Sequence, residues 1–345
     1  MVTYPWQALA AGGAAEFDRK MSTTVHYATG NHRRPAAAES TFLPRISIFM
    51  RQRKVWPPAL LAGLLWRGLT HLGTHRKVLR FLLKLPPLAE FVFSNPTFAI
   101  KYLAPRYLAR DLTVPERASC FLYHYRRLYA ALPDQLLRRT LKEDLTLHEM
   151  PEGANLFALT MGLSRPYGEE GELSLHLCVN GEIAFILSFT IVPGSVAQSQ
   201  AGEILLITRL QGIKGAYPQI SAATKALHDV APAALLFAAL KGVADAFGIG
   251  EIAAVSAARQ SSYHRDYAAF FQEAYDDFFA QVGMSIGATG FYRSSIPLQG
   301  KPLAFIKRGH KLRTKEKRAF KQEIRSACAG FFQELAPAAS HKLPL

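Results

Sequence analysis

Residues 203–229 read EILLITRLQGIKGAYPQISAATKALHD. The run Glu203–Leu210 is short and apolar, which reads as a strand. Arg209, Gln211, Gly212, Lys214 and Gly215 follow, and from Tyr217 the spacing is helical, with Thr224, Lys225 and His228 on the new element. A strand that passes through glycine into a helix leaves unpaired N–H groups at the helix start and a dipole that favours an anion. Two readings stay open, a plain strand-to-helix turn and a seat for a phosphate. The segment is neither a Walker loop nor G-x-G-x-x-G. Arg209 and Gly212 do fit the spacing of the acetyltransferase turn that grips the pyrophosphate of acyl-CoA, with Lys214 where that turn has a small residue.

Working outward, GELSLHLCVN (171–180) alternates Leu173, Leu175, Leu177 and Val179, and Asn180-Gly181 is a hairpin turn signal. EIAFILSFTIV (182–192) returns as the partner strand. After the opening segment come a second helix, PAALLFAALKGVADAFG (232–248), the strand EIAAVSA (251–257), and an aromatic helix, DYAAFFQEAYDDFFAQVG (266–283). GFYRSSIPL (290–298) and LAFIKR (303–308) read as two last strands, and a basic helix closes the chain. The expected fold is α+β, a mixed, largely antiparallel sheet flanked by helices, with an acetyltransferase-like sheet as the specific template. A helical N-terminal region precedes it.

Four segments follow: a loose tail over 1–44, a basic helical region over 45–150, the sheet core over 151–312, and a basic helix and tail over 313–345. In the helical region, residues 58–84 repeat leucine at helical spacing, with a break expected at Gly73. Thr113, Pro115 and Glu116 spell a capping box. YHYRRLY (123–129) interleaves aromatics with cations, either as base-stacking groups or as core rings beside surface arginines.

The net charge is +15 on 345 residues, and it is unevenly placed. Residues 45–84 hold Arg45, Arg51, Arg53, Lys54, Arg67, Arg76, Lys77, Arg80 and Lys84 and no acid, and residues 301–325 are strongly basic. Two basic segments therefore flank a nearly neutral body. Such segments suit an anionic membrane surface, a phosphate-bearing small molecule or nucleic acid, or act only as solvated surface. No recognised nucleic-acid module is visible, which places that partner last. Three scattered cysteines, Cys120, Cys178 and Cys328, form no C-x-x-C pair, so neither a disulfide framework nor a structural metal site is expected. No apolar run approaches the roughly 20 residues that a transmembrane helix needs, and the start has no secretory pattern. A cytoplasmic protein, peripheral to an anionic membrane surface, is expected.

Candidate catalytic residues are His228 and Asp276. Candidate ligand or phosphate contacts are Arg209, Gln211, Gly212, Lys214, Gly215, Thr224, Lys225 and Tyr275, with acyl-CoA as the candidate cofactor. The separate expectation is that Arg209, Gln211, Lys225, His228, Tyr275 and Asp276 gather around one concave surface.

The ordered segments NPTFAIKYLAPRYLARDLTVPERASCFLYHY, GELSLHL, IAFILSFTIV, ILLITRLQG, ISAATKALHDVAPAALL, IAAVSA and YDDFFAQVGM resemble the VirK/YbjX family of bacterial proteins. The family signatures fall on Leu210-Gln211-Gly212, on Thr224, Lys225 and His228, and on Tyr275, Asp276 and Phe278. Where the family commonly has Gly and Arg after the histidine, this chain has Asp229 and Ala231. The resemblance implies a role connected with the bacterial envelope, virulence and tolerance of cationic antimicrobial peptides, and it implies no agreed reaction or catalytic residue.

Overall fold

The computed structural model describes residues 58–164, 170–298 and 302–335. The tail expected over 1–44 lies outside these residues. Asn180 and Gly181 both have positive φ, 53° and 86°, and join β3 (Leu173–Val179) to β4 (Glu182–Pro193) as the sequence predicts. Ahead of them stands a hairpin that the alternation did not reveal, β1 (Leu145–Glu152) and β2 (Asn155–Leu163), turned at Gly153 with φ 58°. β1 begins before residue 151, so the sheet starts inside the segment read as helical.

β5 (Glu203–Gly212) pairs antiparallel with β4, and β6 (Glu251–Val255) lies parallel to β5. A parallel neighbour needs a long crossover. It is supplied by α6 (Tyr217–Ala226) and α7 (Pro232–Phe247), each with proline at its start, α7 ending at Gly248 with φ 69°. β8 (Phe291–Ser295) pairs antiparallel with β6 and carries the short β7 (Ser285–Ile286) on its outer side. The full order is β1-β2-β3-β4-β5-β6-β8-β7, with β5–β6 the one parallel pair among the described strands. The expected α+β class, largely antiparallel, is what the chain adopts.

LAFIKR is not a strand. It forms 3-10 turns at Leu303–Phe305 and Arg308–His310. β8 already has a neighbour on each side, which leaves no adjacent edge for another strand, and Pro302 removes a ladder donor.

The N-terminal region is helical as expected. α1 (Pro58–Thr70) and α2 (Leu72–Lys84) meet at His71, where φ −113° and ψ 38° interrupt the helix, two residues before the glycine expected to do so. α3 (Pro86–Ser94) and a 3-10 segment (Pro96–Leu103) follow. α4 (Val114–Ala131) starts at the predicted box, with Thr113 N–H donating to Glu116 Oε2 at 2.7 Å. α5 (Asp134–Lys142) leads into β1. α4 and α7 both pack on β4, no residue of β3 is exposed, and one hydrophobic core runs from Leu64 to Phe332. α9 (Lys311–Leu335) lies along α7. Gly242 permits that crossing, since a Cβ there would stand 2.2 Å from the Arg325 carbonyl oxygen.

Candidate functional site

β5 and β6 pair only through Leu205–Ile252, Leu206–Ala253 and Ile207–Ala254. Beyond them β5 continues to Gly212 while β6 ends at Val255, so the two strands part. At the same level β5 bulges. Ile207 faces Phe189 and Arg209 faces Ser188, leaving Thr208 as the extra residue. Parting strands at the carboxyl ends of a parallel pair form the crevice where α/β sheets place ligands.

Arg209, Gln211 and Gly212 are therefore strand residues, and the turn proper is confined to 213–216. Arg209 is buried, with Nε 3.2 Å from Glu170 Oε2. The Gln211 amide, oriented with its oxygen toward the guanidinium, accepts from Arg209 Nε at 2.9 Å. Arg209 is thus balanced within the protein and does not reach out to an anion. Lys214 and Gly215 stand exposed at the entry to α6, Gly215 with φ 82°. Gly212 serves packing, because a Cβ there would lie 2.9 Å from the Ile220 side chain of α6.

Three further segments close on this corner. The 170–172 loop crosses the bulge, with Thr208 Oγ1 donating to the Glu170 carbonyl at 2.5 Å. Gly171 has φ 132°, and a Cβ there would meet Thr208 Oγ1 at 2.9 Å and Phe189 N at 3.1 Å. The turn after β6 brings Ser261, whose hydroxyl donates to Glu170 Oε1 at 3.1 Å. The aromatic helix, α8, is composite: Ala268–Phe271, a π turn at Gln272–Asp277, then Phe278–Gln281. π turns recur at functional sites. This one delivers Tyr275, whose phenol oxygen accepts from the Leu210 N–H beside Glu170 and Arg209. Burial pushes its pKa well above the ordinary phenol range, with Glu170 adding to the shift. Asp276 accepts from Ala257 N–H at 2.8 Å and so caps the turn after β6. Burial raises its pKa, partly opposed by that bond.

The remaining candidates lie elsewhere. Thr224 bonds back to the Ile220 carbonyl at 2.8 Å, and Lys225 is exposed. The His228 ring sits 4.7 Å from Phe320 of α9. His228 and Asp229 both have left-handed backbone, φ 54° and 53°. Glycine adopts that conformation without strain. Here Asp229 is held instead by α9, its carboxylate 2.6 Å from Arg313 and its carbonyl 2.5 Å from Lys317. The candidates therefore split. Arg209, Gln211, Tyr275 and Asp276 come to the β5–β6 corner, and Lys214 and Gly215 stand at the turn beyond it. Thr224, Lys225 and His228 follow α6 toward the other end of the crossover.

Glu170, Ser261 and Thr208 were not singled out in the sequence. Glu170 had a signal in EEGE (169–172), a glycine between acids just ahead of a strand. In YHYRRLY, His124 and Tyr125 are fully buried, while Arg127 pairs with Glu203 at 3.0 Å, so the core-ring reading describes this stretch.

Fold and corner together define a mixed α+β protein with mostly buried polar side chains gathered where its one described parallel strand pair parts. A family model described as a protein of unknown function (DUF535) matches residues 61–321, and the chain belongs to this family, which is the VirK/YbjX family. No curated protein and no solved structure matches the chain. No helix among the described residues is long and apolar enough to cross a membrane.

Proposed function

We propose that this protein is an acyl-CoA-dependent acyltransferase that works at the bacterial envelope, on the cytoplasmic side and peripheral to the inner membrane. The observation that carries the reading is the parting of β5 from β6 at the Thr208 bulge, followed by the exposed Lys214-Gly215 turn into α6. A pantetheine arm carries amides, and the stretch of β5 beyond Ile207 that β6 does not cover can receive them as an added strand once the Tyr275 phenol gives up the Leu210 N–H. The diphosphate then falls at the α6 entry, where Lys214 and the first-turn N–H groups meet negative charge. The VirK/YbjX resemblance supports the envelope setting.

In this reading the acceptor is an amine or hydroxyl that adds to the thioester carbonyl. The carbon–sulfur bond breaks, the thiolate leaves, and the acceptor's proton passes to Glu170. Arg209 and Ser261 hold that carboxylate in place. Tyr275 keeps its proton and serves as a hydrogen-bond donor to the carbonyl oxygen as charge develops there.

Thermal shift tests it. Acetyl-CoA and longer acyl-CoAs should raise the melting temperature by about 2 °C or more near saturation, and Lys214→Ala should reduce the rise. Release of free CoA thiol in the presence of mixed amine and alcohol acceptors should follow. No shift with any acyl-CoA, and the same result for Lys214→Ala, overturns the proposal.

A further inference from the structure

α1 and α2 bury one side and show the other. Inward, Leu64, Val78 and Leu82 are fully buried. Arg67 reaches the Leu103 carbonyl at 3.5 Å, and His75 Nδ1 lies 3.1 Å from the Tyr102 hydroxyl. Outward, Trp66 is 68% exposed, Leu69 66%, Leu72 41% and Leu83 47%. Trp66, Leu69, Leu72, Arg76, Arg80 and Leu83 follow one another at three- and four-residue spacing. The break at His71 leaves this outer stripe in register. Its first part is apolar, and its continuation along α2 is cationic. Residues 58–84 contain Arg67, Arg76, Lys77, Arg80 and Lys84 and no acid.

A soluble surface rarely shows tryptophan and leucine side by side at such exposure without a use. Apolar groups alone would suit many partners, but acid-free flanks select a negatively charged one. Tryptophan rests well at a lipid–water boundary, and arginine and lysine stems reach past apolar surface to phosphate. We infer that the α1–α2 face docks on an anionic lipid surface, with Trp66, Leu69 and Leu72 entering the boundary region and Arg76, Lys77, Arg80 and Lys84 at headgroup level. This surface is distinct from the β5–β6 corner, and the inference stands without the acyltransferase reading.

The experiment uses the full chain with vesicles of phosphatidylcholine alone and of phosphatidylcholine mixed with phosphatidylglycerol, at low and high salt. A background of Trp6→Phe and Trp56→Phe leaves Trp66 as the fluorescent reporter among the three tryptophans. The expected result is flotation with the anionic vesicles only, weakened by salt, with a blue shift of Trp66 emission on binding. Trp66→Ser with Leu69→Ser should lower the vesicle-bound fraction roughly tenfold, and Arg76→Glu with Arg80→Glu at least as much, with circular dichroism unchanged in both. Equal binding to both vesicle types, or to neither, overturns the inference. So does a dimer by light scattering that Trp66→Ser with Leu69→Ser converts to monomer, which would make the face a self-interface. Emission already blue-shifted without vesicles, and red-shifted once residues 1–55 are deleted, would assign the face to the chain's own N-terminal segment. Binding to RNA that survives the Trp66→Ser, Leu69→Ser change, with no vesicle binding, overturns it as well.

Discussion

Glu170 and Glu172 stand two residues apart and live in opposite surroundings. Glu172 is completely buried. Lys101 Nζ lies 2.5 Å from Oε2, and the Tyr107 and Tyr125 hydroxyls donate to the same carboxylate. Its neighbours come from the 3-10 segment, the loop after it and α4, so this cluster fastens the N-terminal helices to the sheet. The Glu170 side chain is 24% exposed and faces Arg209 and Ser261 at the strand opening. Gly171 separates the two, and with its φ of 132° one acid lies inward and the other at the partly exposed strand opening. A charge enclosed on every side can only hold the fold together. A charge with one side open can also meet a ligand.

The sharpest way to break this contrast is Glu172→Gln. It leaves the Lys101 ammonium buried without its counter-charge, and stability should fall by about 3–5 kcal/mol. Combining it with Lys101→Met should recover most of that loss, because the pair is replaced by groups of similar size. Urea unfolding of both singles and the double reads the coupling. A Glu172→Gln protein as stable as the parent would remove the structural assignment.

Gly171→Ala acts on both clusters at once. The left-handed backbone and the crowding by Thr208 and Phe189 should cost about 2–3 kcal/mol, and the response to acyl-CoA should weaken with it. Retained stability with an intact ligand response would show that the loop has room that the geometry denies it.

The enclosed cluster also has a pH signature through its neighbour His124. Nδ1 accepts from Ile191 N–H at 3.0 Å, and Nε2 is buried without a hydrogen-bond partner among the described residues. Burial, and then the Lys101 charge, hold its pKa well below the ordinary imidazole range. The unfolded chain therefore binds a proton near pH 6.5 that the folded chain refuses. The stabilisation is complete above that pH and is lost as pH falls, by about 1.4 kcal/mol per unit for this one group. His124→Gln keeps an acceptor for Ile191 and should flatten the slope in a pH series of denaturant midpoints. An unchanged slope would assign the acid sensitivity to other groups.

Much of this architecture was legible because local chemistry and the final environment agree. Asn180-Gly181 takes the two positive φ values that such a turn needs, and Thr113 with Glu116 caps α4 as its spelling says. β1 was hidden because LTLHEMPE mixes His, Glu and Pro into its alternation, so the strand is settled by pairing with β2 and not by its own pattern. The split of the candidate site was hidden for another reason. Sequence spacing puts Lys225 and His228 on one helix with the α6 entry, but α6 stops at Ala226, His228 turns left-handed, and α9 takes up that end. Glu170 was missed because its role depends on a crossing at the bulge, which no local pattern records. Lys101 left a faint mark, a single cation within the apolar run Phe98–Leu103.

The smallest expected stability effect belongs to the open cluster, and it sharpens the comparison most. Arg209→Met keeps an aliphatic stem against the strand and removes the guanidinium. Glu170 retains its bond from Ser261 and its access to water, so the loss should be only about 1 kcal/mol. That is well under the loss for Glu172→Gln, although both changes break an ion pair. Function should move the other way. Without Arg209 the Glu170 carboxylate loses its fixed direction, and CoA thiol release should fall while the thermal shift with acyl-CoA remains, because Lys214 and the α6 entry are untouched. Arg209→Lys should restore charge but not the shared Nε contacts to Glu170 and Gln211, and so should recover little activity. If Arg209→Met instead unfolds the protein as severely as Glu172→Gln, the two glutamates are of one kind, and the strand opening is scaffold.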